Sequence, residues 1–447
     1  MTRTAAALAA GAILACASST ARAADDGATA AQPADAEAWA VHGQMTFTEQ
    51  GNAAFRSPYQ GPNSLDPHAV ARETFDVTLY AGVRPWAGAE IWINPEIDQG
   101  FGLSDTLGVA GFPSGEAYKV GKSAPYLKLP RLFLRQTIDL GGDQEKVDPD
   151  LNQLGGSQTA DRLVLTVGKF GVVDVFDTNT YAHDPRQDFM NWTLIDAGTF
   201  DYAANAWGYT YGAAAELYVG RWTLRAGAFD LSDVPNSTRL DPSFDEYELT
   251  GEIEERHSIL GRPGKLKLTA FVNRGRMGRF DDAVSLALAT GQPADIAAVR
   301  AYRSRGGVSL NLEQQLAADL GMFVRAGSTG GQVEPYEFTD VDQTVSGGLS
   351  LQGRRWGRPD DAFGVAGVVN QISKAHQAFF NAGGIGILVG DGALPHPGAE
   401  RILETYYDFA ALHGVHLTVD YQFVQNPAYN RDRGPVSIGA VRLHAQF

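Results

Sequence analysis

Cysteine is almost missing from this chain. Cys16 is the single one among 447 residues, and it falls in a stretch that reads as a cleavable leader. A mature chain without cysteine has no disulfide and must rely on backbone hydrogen bonding and packing. Basic residues are outnumbered, with 36 Lys and Arg against 52 Asp and Glu, a formal net charge of −16. No basic stripe appears, which speaks against a nucleic-acid partner. Long hydrophobic runs are missing too. Past the leader no segment approaches the ~18–20 consecutive apolar residues of a spanning helix.

What is present points another way. Glycine (51), tyrosine (16) and phenylalanine (22) are frequent, a mix suited to strands and turns rather than helical bundles. Arg3, the apolar run Ala5–Ala15 and the A-x-A site Ala21-Arg22-Ala23 form an export signal, with the mature chain expected from Ala24. A faint lipoprotein box ends at Cys16, but the A-x-A site beyond it is better formed. The expected organisation is a signal peptide over 1–23, a flexible, Ala- and Asp-rich segment over 24–37, and one barrel domain over 38–447.

The dominant pattern has a period of two. At the C-terminus Gly439, Val441, Leu443 and Ala445 alternate with Ala440, Arg442, His444 and Gln446, and the chain ends on Phe447. Val415, Leu417, Val419, Tyr421 and Phe423 interleave with His416, Thr418, Asp420 and Gln422. Near the front, Phe75, Val77, Leu79 and Val83 alternate with Thr74, Asp76, Thr78 and Tyr80. Such runs make strands with one face in an apolar medium and the other in water. Segments of this kind are centred near residues 45, 78, 92, 134, 166, 213, 225, 250, 270, 309, 323, 349, 368, 404, 419 and 441. Each allows the ~9–11 residues of a tilted membrane strand, and the number is even, as single-chain bacterial barrels have.

The connections sort by parity. Residues 51–71, 98–125, 174–206, 276–302 and 374–397 are long, while 84–88, 219–221, 316–318 and 410–413 are short. Only 141–158 breaks the scheme, being long where a short turn is expected. Loops sorted this way are the mark of an outer-membrane barrel. The expected fold is therefore all-β: a transmembrane antiparallel barrel with short periplasmic turns and long extracellular loops. Phe280–Gly291 and Ser373–Gly384 have helical spacing and end in glycine, as helical insertions in those loops would. The long loop Asp177–Ala206 is rich in aromatics, Asn and Asp, which favours an ordered, in-folded loop.

Four stretches carry a resemblance to a known family. They are SPYQGPNSL (Ser57–Leu65), the run from Leu165 to Gly212, NAGGIGILVGDGAL (Asn381–Leu394) with ILETYYDF (Ile402–Phe409), and LTVDYQFVQNPAYNRDRGP (Leu417–Pro435). Together the chain resembles the carbohydrate-selective porins (the OprB family) of Gram-negative outer membranes. The resemblance implies a sixteen-stranded barrel in outer-membrane lipid, passing sugars by passive diffusion through a pore narrowed by in-folded loops and arginine-containing lumen faces. No short motif transfers individual residues.

Candidate pore-lining residues therefore rest on strand parity alone: Glu90, Trp92, Asn94 and Glu96; Arg131, Arg135 and Asp139; Arg225; Arg325; Glu404, Tyr406 and Asp408; Asp420; Arg442. Charged and amide groups hydrogen-bond sugar hydroxyls, and aromatic faces pack on sugar rings. Other signals carry less. GIGILVG lacks dinucleotide-binding spacing, GKFG lacks the P-loop frame, and Glu246, Glu248, Glu252 and Glu254 are spaced as one wet strand face. The histidines show no metal spacing, and no Ser/His/acid cluster suggests an enzyme, so neither cofactor nor metal is expected. Rival readings are a barrel exporting an acidic polysaccharide, an organic-acid porin, and a soluble periplasmic β-protein. A homotrimer is the oligomer that porins of this size suggest.

Overall fold

A computed structural model describes residues 36–117, 121–240 and 242–447. The expected leader 1–23, with Cys16, and all but the last residues of 24–37 lie outside the described residues. Sixteen strands close into one antiparallel barrel in which each pairs with its sequence neighbours and the first pairs with the last. They are β1 (Trp39–Asn52), β2 (Val70–Val83), β3 (Ala89–Gly100), β4 (Lys122–Val147), β5 (Gly156–Phe170), β6 (Thr210–Val219), β7 (Trp222–Asp230) and β8 (Tyr247–Ile259). The second half comprises β9 (Arg262–Met277), β10 (Ala301–Ala317), β11 (Leu320–Thr329), β12 (Gln343–Gln352), β13 (Ala362–Gln371), β14 (Glu400–Leu412), β15 (Val415–Gln425) and β16 (Val436–Gln446). Every centre expected from the sequence falls inside one of them.

Closure explains the C-terminal pattern. Met45 pairs with Ala445 and Phe47 with Leu443 across the β1–β16 seam, and Gly43 and Phe447 exchange both backbone hydrogen bonds at 3.0 Å. Gly43 is needed there, because a Cβ would stand 2.5 Å from the Phe447 ring. In hydrocarbon only such a closed ladder satisfies every strand N–H and C=O.

The alternating apolar residues face outward. Leu79, Ile91, Ile93, Ile97, Leu132, Ile138, Leu417, Val441 and Val419 are all exposed, Val419 by 60%. Their neighbours along the strands, Thr78, Trp92, Asn94, Glu96, Thr418, Asp420 and Arg442, are buried. A water-soluble sandwich would bury the aliphatic set instead. Among the described residues no helix is long and apolar enough to cross a membrane.

Loop parity holds all the way round. Connections at one end are short, two residues at 220–221, 260–261, 318–319 and 413–414, and those at the other end reach 171–209 and 372–399. The irregular 141–158 connection is mostly strand. β4 runs to Val147 and β5 starts at Gly156, leaving 148–155 as the tip of a hairpin that outlasts the neighbouring strands. Its polar GGDQEKV sequence hid the strand from an apolar-alternation reading. The register slips at Gly141, where Gly141 (φ 128°) and Gly142 (φ 85°) occupy a backbone region that favours glycine, and the outer arm bends there. Two expected loop helices are present. One is Phe280–Thr290, closed by Gly291 at φ 67°; the other is Lys374–Asn381, capped by Ser373, whose Oγ accepts from the His376 N–H at 3.1 Å.

Candidate functional site

The inner wall is charged because its side chains hold loops. The segment 171–209 leaves β5 and packs against the inward faces of β8, β10, β11, β14 and β16. Arg325 on β11 is fully buried and donates to Asp177 Oδ1 (3.3 Å) and to the carbonyls of Leu194 (2.7 Å), Asp177 (3.1 Å) and Ala182 (2.9 Å). Arg442 on β16 donates to the carbonyls of Pro185 (2.5 Å), Asp188 (3.0 Å) and Gln187 (3.1 Å). From the opposite sign, Glu404 accepts the N–H groups of Met190 (2.5 Å) and Asn191 (3.0 Å), Glu252 that of Asp177 (2.8 Å), and Glu313 that of Thr180 (2.7 Å). A loop carries backbone groups that cannot be buried unpaired, and charged wall residues are the strong partners for them.

Two sizeable cavities lie inside the barrel among the described residues. The first, about 300 Å³, lies beneath the long loops and is lined by Tyr80, Phe112, Arg131, Asp174, Arg186, Trp192, Trp207 and Tyr209, among others. The second, about 600 Å³, opens at the short-turn end beside Tyr406, Asp408, His413, His416, His444 and Phe447. Arg186 and Leu151 border both.

The first cavity combines flat aromatic faces with paired charges. Arg131 forks onto Asp174 (2.8 and 2.6 Å) while its guanidinium lies 4.9 Å from the centre of the Tyr209 ring. Burial alone would raise the Asp174 carboxyl. The Arg131 guanidinium and the Gly171 N–H outweigh it and hold the group below the usual carboxylate range. Arg186, on the in-folded segment, reaches Asp76 (3.5 Å), Glu96 (3.7 Å) and Glu116 (3.0 Å). Asp196 also lines this cavity. It is pushed up to about 7, first by burial and then by the nearby Asp177 carboxylate. His183, 3.9 Å from it, is shifted down by burial and by Arg325, so it is neutral at pH 7. Among the described residues no group of three or more His, Cys, Asp or Glu is placed to hold a metal.

The residues picked out by parity are spread over several duties. Arg131 lines the first cavity and Tyr406 and Asp408 the second. Tyr406 packs edge-on against Phe189 of the loop, and Asp408 accepts from Thr418 Oγ1 (2.7 Å) and pairs with His416 (2.6 Å). Glu96 pairs with Lys128 (3.1 Å) behind Arg186, and Asn94 is fully buried beside it on the same strand face. Trp92 donates to Glu90 (3.0 Å), which stands 3.5 Å from both Arg84 and Arg135. Arg225 is held on the wall by Glu216 (2.9 Å), Glu252 (2.7 Å) and Glu254 (3.0 Å). Asp420 is buried and accepts from Gln422 (3.2 Å). Asp139 is exposed near the bend of the β4–β5 hairpin, where it accepts the Thr159 N–H (3.0 Å). Arg325, Glu404 and Arg442, as above, lie under the loop rather than in contact with the cavities.

Parity reasoning missed the residues of the cavity that sit on loops: Arg186, Glu116, Asp174, Asp196, Trp192, Trp207 and Tyr209. The signal was present as the cluster of Trp, Tyr, Asp and Arg within 174–209, but a loop has no period from which to read direction. Asp76 and Tyr80 were legible, both on the inward set of β2.

The comparisons agree with this geometry. The family model described as "Carbohydrate-selective porin, OprB family" matches residues 63–447. The chain is similar in fold to the high-pH structure of Pseudomonas putida OprB, with TM-score 0.70 and 15% identity, covering 92% of this chain and 94% of that one. For the low-pH structure of the same protein the TM-score is 0.51 at 12% identity, with 92% and 93% covered. A search of curated proteins finds no match. With a single-chain closed barrel whose aliphatic residues face outward, whose wall charges pin loops within the bore, and whose sequence fits the family over most of its length, the chain is an outer-membrane porin belonging to the carbohydrate-selective porin (OprB) family.

Proposed function

We propose that this porin passes sugars and similar small polar solutes by passive diffusion. The observation that carries the reading is the first cavity, where Tyr80, Phe112, Trp192, Trp207 and Tyr209 share a lining with ion-paired arginines and carboxylates. A sugar presents hydroxyls at its rim and C–H groups on its faces. Charge-assisted hydrogen bonds serve the former and aromatic rings the latter. Diffusion needs such contacts to be weak and repeated rather than tight. The family description supports the same solute class. Because one chain closes the barrel, the path needs no second copy. The leader 1–23 supports export to the outer membrane, with the mature protein beginning at Ala24.

Carboxylates near this path disfavour the organic-acid alternative once they ionise. Asp76, Glu96, Glu116, Asp174 and Asp196 face Arg131, Arg186 and Lys128. With the Asp196 carboxyl at about 7 and burial holding that of Glu116 well above the usual carboxylate range, the local field favours neutral solutes at neutral pH and cationic ones at alkaline pH. Reconstituted liposomes should swell faster in small neutral sugars than in sugar acids of equal size. Swelling no faster than that of protein-free liposomes in any sugar would end the carbohydrate reading.

Asp196 adds a pH dependence. With its carboxyl at about 7, its charge appears as pH rises from about 6 to 8. Cation-over-anion permeability, read as reversal potential in a salt gradient, should rise across that window and rise less in Asp196→Asn. Asp188, beside the second cavity and pushed to about 6 by burial, titrates just below that window and acts in the same direction. The stability sign is opposite. A carboxyl raised from 3.8 in the native state favours the protonated fold, and that contribution is lost as pH climbs through about 4 to 7.

A further inference from the structure

The β4–β5 hairpin is longer than a turn requires. Two residues suffice to join neighbouring strands, and 220–221, 260–261, 318–319 and 413–414 use no more at the same end of the barrel. The residues 148–155 instead fold back against the wall. Leu154 is fully buried in the apolar cluster that includes Trp92, Phe133 and Tyr80, and Leu151 packs against that cluster. Five polar contacts secure the tip. Arg135 donates to the Asn152 carbonyl (2.7 Å), Glu90 accepts the Leu154 N–H (3.4 Å), and Glu37 accepts the Gly155 N–H (2.7 Å). The Glu37 N–H donates to the Gly155 carbonyl (3.0 Å), and Arg84 donates to the same carbonyl (3.3 Å). Asn152 takes a left-handed conformation (φ 55°), and Asp150 and Gln153 bridge the turn. Glu90 and Arg135, which parity would place in the lumen, are thus the anchors of this tip.

We propose that the tip 148–155 is a second selectivity element of the porin, entering from the short-turn end, with Leu151 as its working side chain. Leu151 and Arg186 are the residues shared by the linings of the two cavities. A solute moving between the cavities passes both, an aliphatic surface from the hairpin and a guanidinium from the in-folded loop. The first cavity is then bounded at its inner end by the hairpin as well as by the long loops. This assignment rests on the porin architecture and not on the identity of the solute.

The mature chain is expected to lack cysteine, so Leu151→Cys provides a unique thiol. Treating the reconstituted Leu151→Cys channel with a bulky cationic methanethiosulfonate should cut single-channel current by about half or more, as expected for bulk and charge added at a constriction. Asp143→Cys, exposed on the outer arm of the hairpin, is the control and should change by no more than about a tenth. Leu151→Trp should likewise lower the current while retaining the heat-modifiable gel migration of a folded barrel. The proposal is overturned if the thiol at 151 resists modification, or if modification confirmed by mass leaves the current unchanged. Sugar permeation is measured separately in the unmodified porin, so loss of the carbohydrate reading and loss of this one give different results.

Discussion

At alkaline pH, Arg186→Ala should convert the channel to strong cation preference, with cation-over-anion permeability rising on the order of tenfold, equivalent to ~1.4 kcal/mol. The side chain is the cation facing Asp76, Glu96 and Glu116. Glu96 keeps Lys128 at 3.1 Å after the substitution, whereas Asp76 and Glu116 lose the guanidinium that pairs with them. Because burial holds the Glu116 carboxyl well above the usual range, the change develops as pH rises. At an effective dielectric near 20, one unit charge at ~4 Å contributes ~4 kcal/mol before water and counter-ions respond, so a residual of 1–2 kcal/mol on a passing ion is a modest demand. Truncation also removes bulk from the junction of the two cavities, and conductance should rise about twofold. Reversal potentials in a tenfold salt gradient give the first quantity and single-channel recordings the second. Arg186→Lys keeps the charge and should stay close to the parent in selectivity. If Arg186→Ala and the parent share one reversal potential, the charge ring is not on the ion path.

Arg325→Ala should have the larger effect on pore size. One guanidinium gathers four acceptors from Asp177, Ala182 and Leu194, without any contact with solvent. Truncation leaves three carbonyls without that donor, and Asp177 keeps only neutral donors: Asn311 Nδ2 at 2.7 Å and the Ala197 N–H at 2.6 Å. Breaking a buried pair in this way costs about 3–5 kcal/mol. The barrel ladder is untouched, so the cost falls on the attachment of 177–194 to β11 rather than on the sixteen strands. The expected result is a heat-modifiable, folded barrel whose conductance rises several-fold and whose discrimination between mono- and trisaccharides in liposome swelling collapses. Lysine cannot reproduce the fork of contacts, and Arg325→Lys should behave more like alanine than like arginine. A barrel that stays folded with unchanged conductance would show that the segment is held without this residue.

Much of the barrel was readable from the chain. Phe75, Val77 and Leu79 on β2, or Leu417, Val419 and Tyr421 on β15, announce a lipid-facing side simply because they alternate with Asp76 and Thr78, or with Thr418 and Asp420. The same alternation placed Glu404, Arg325 and Arg442 on the inner face. It said nothing about what each would meet there. Glu404 and Arg325 hold backbone groups of 177–194, Arg225 is bound by three glutamates of the wall, and Glu90 with Arg135 holds a hairpin tip. The converse holds at 141–158, where strand residues outside the hydrocarbon carry no apolar alternation and read as loop.

Period-two patterning is a local property of the chain, set by the solvent on each side of the sheet, and it determined the barrel, its strand number, its closure at Phe447 and the inward set of side chains. Which inward charges meet a passing solute, and which are spent on carbonyls and N–H groups of 171–209 or 148–155, was decided only when those segments, remote in sequence, came to lie against the wall. Partner choice at such distances depends on the path of the whole chain, and no local pattern encodes it.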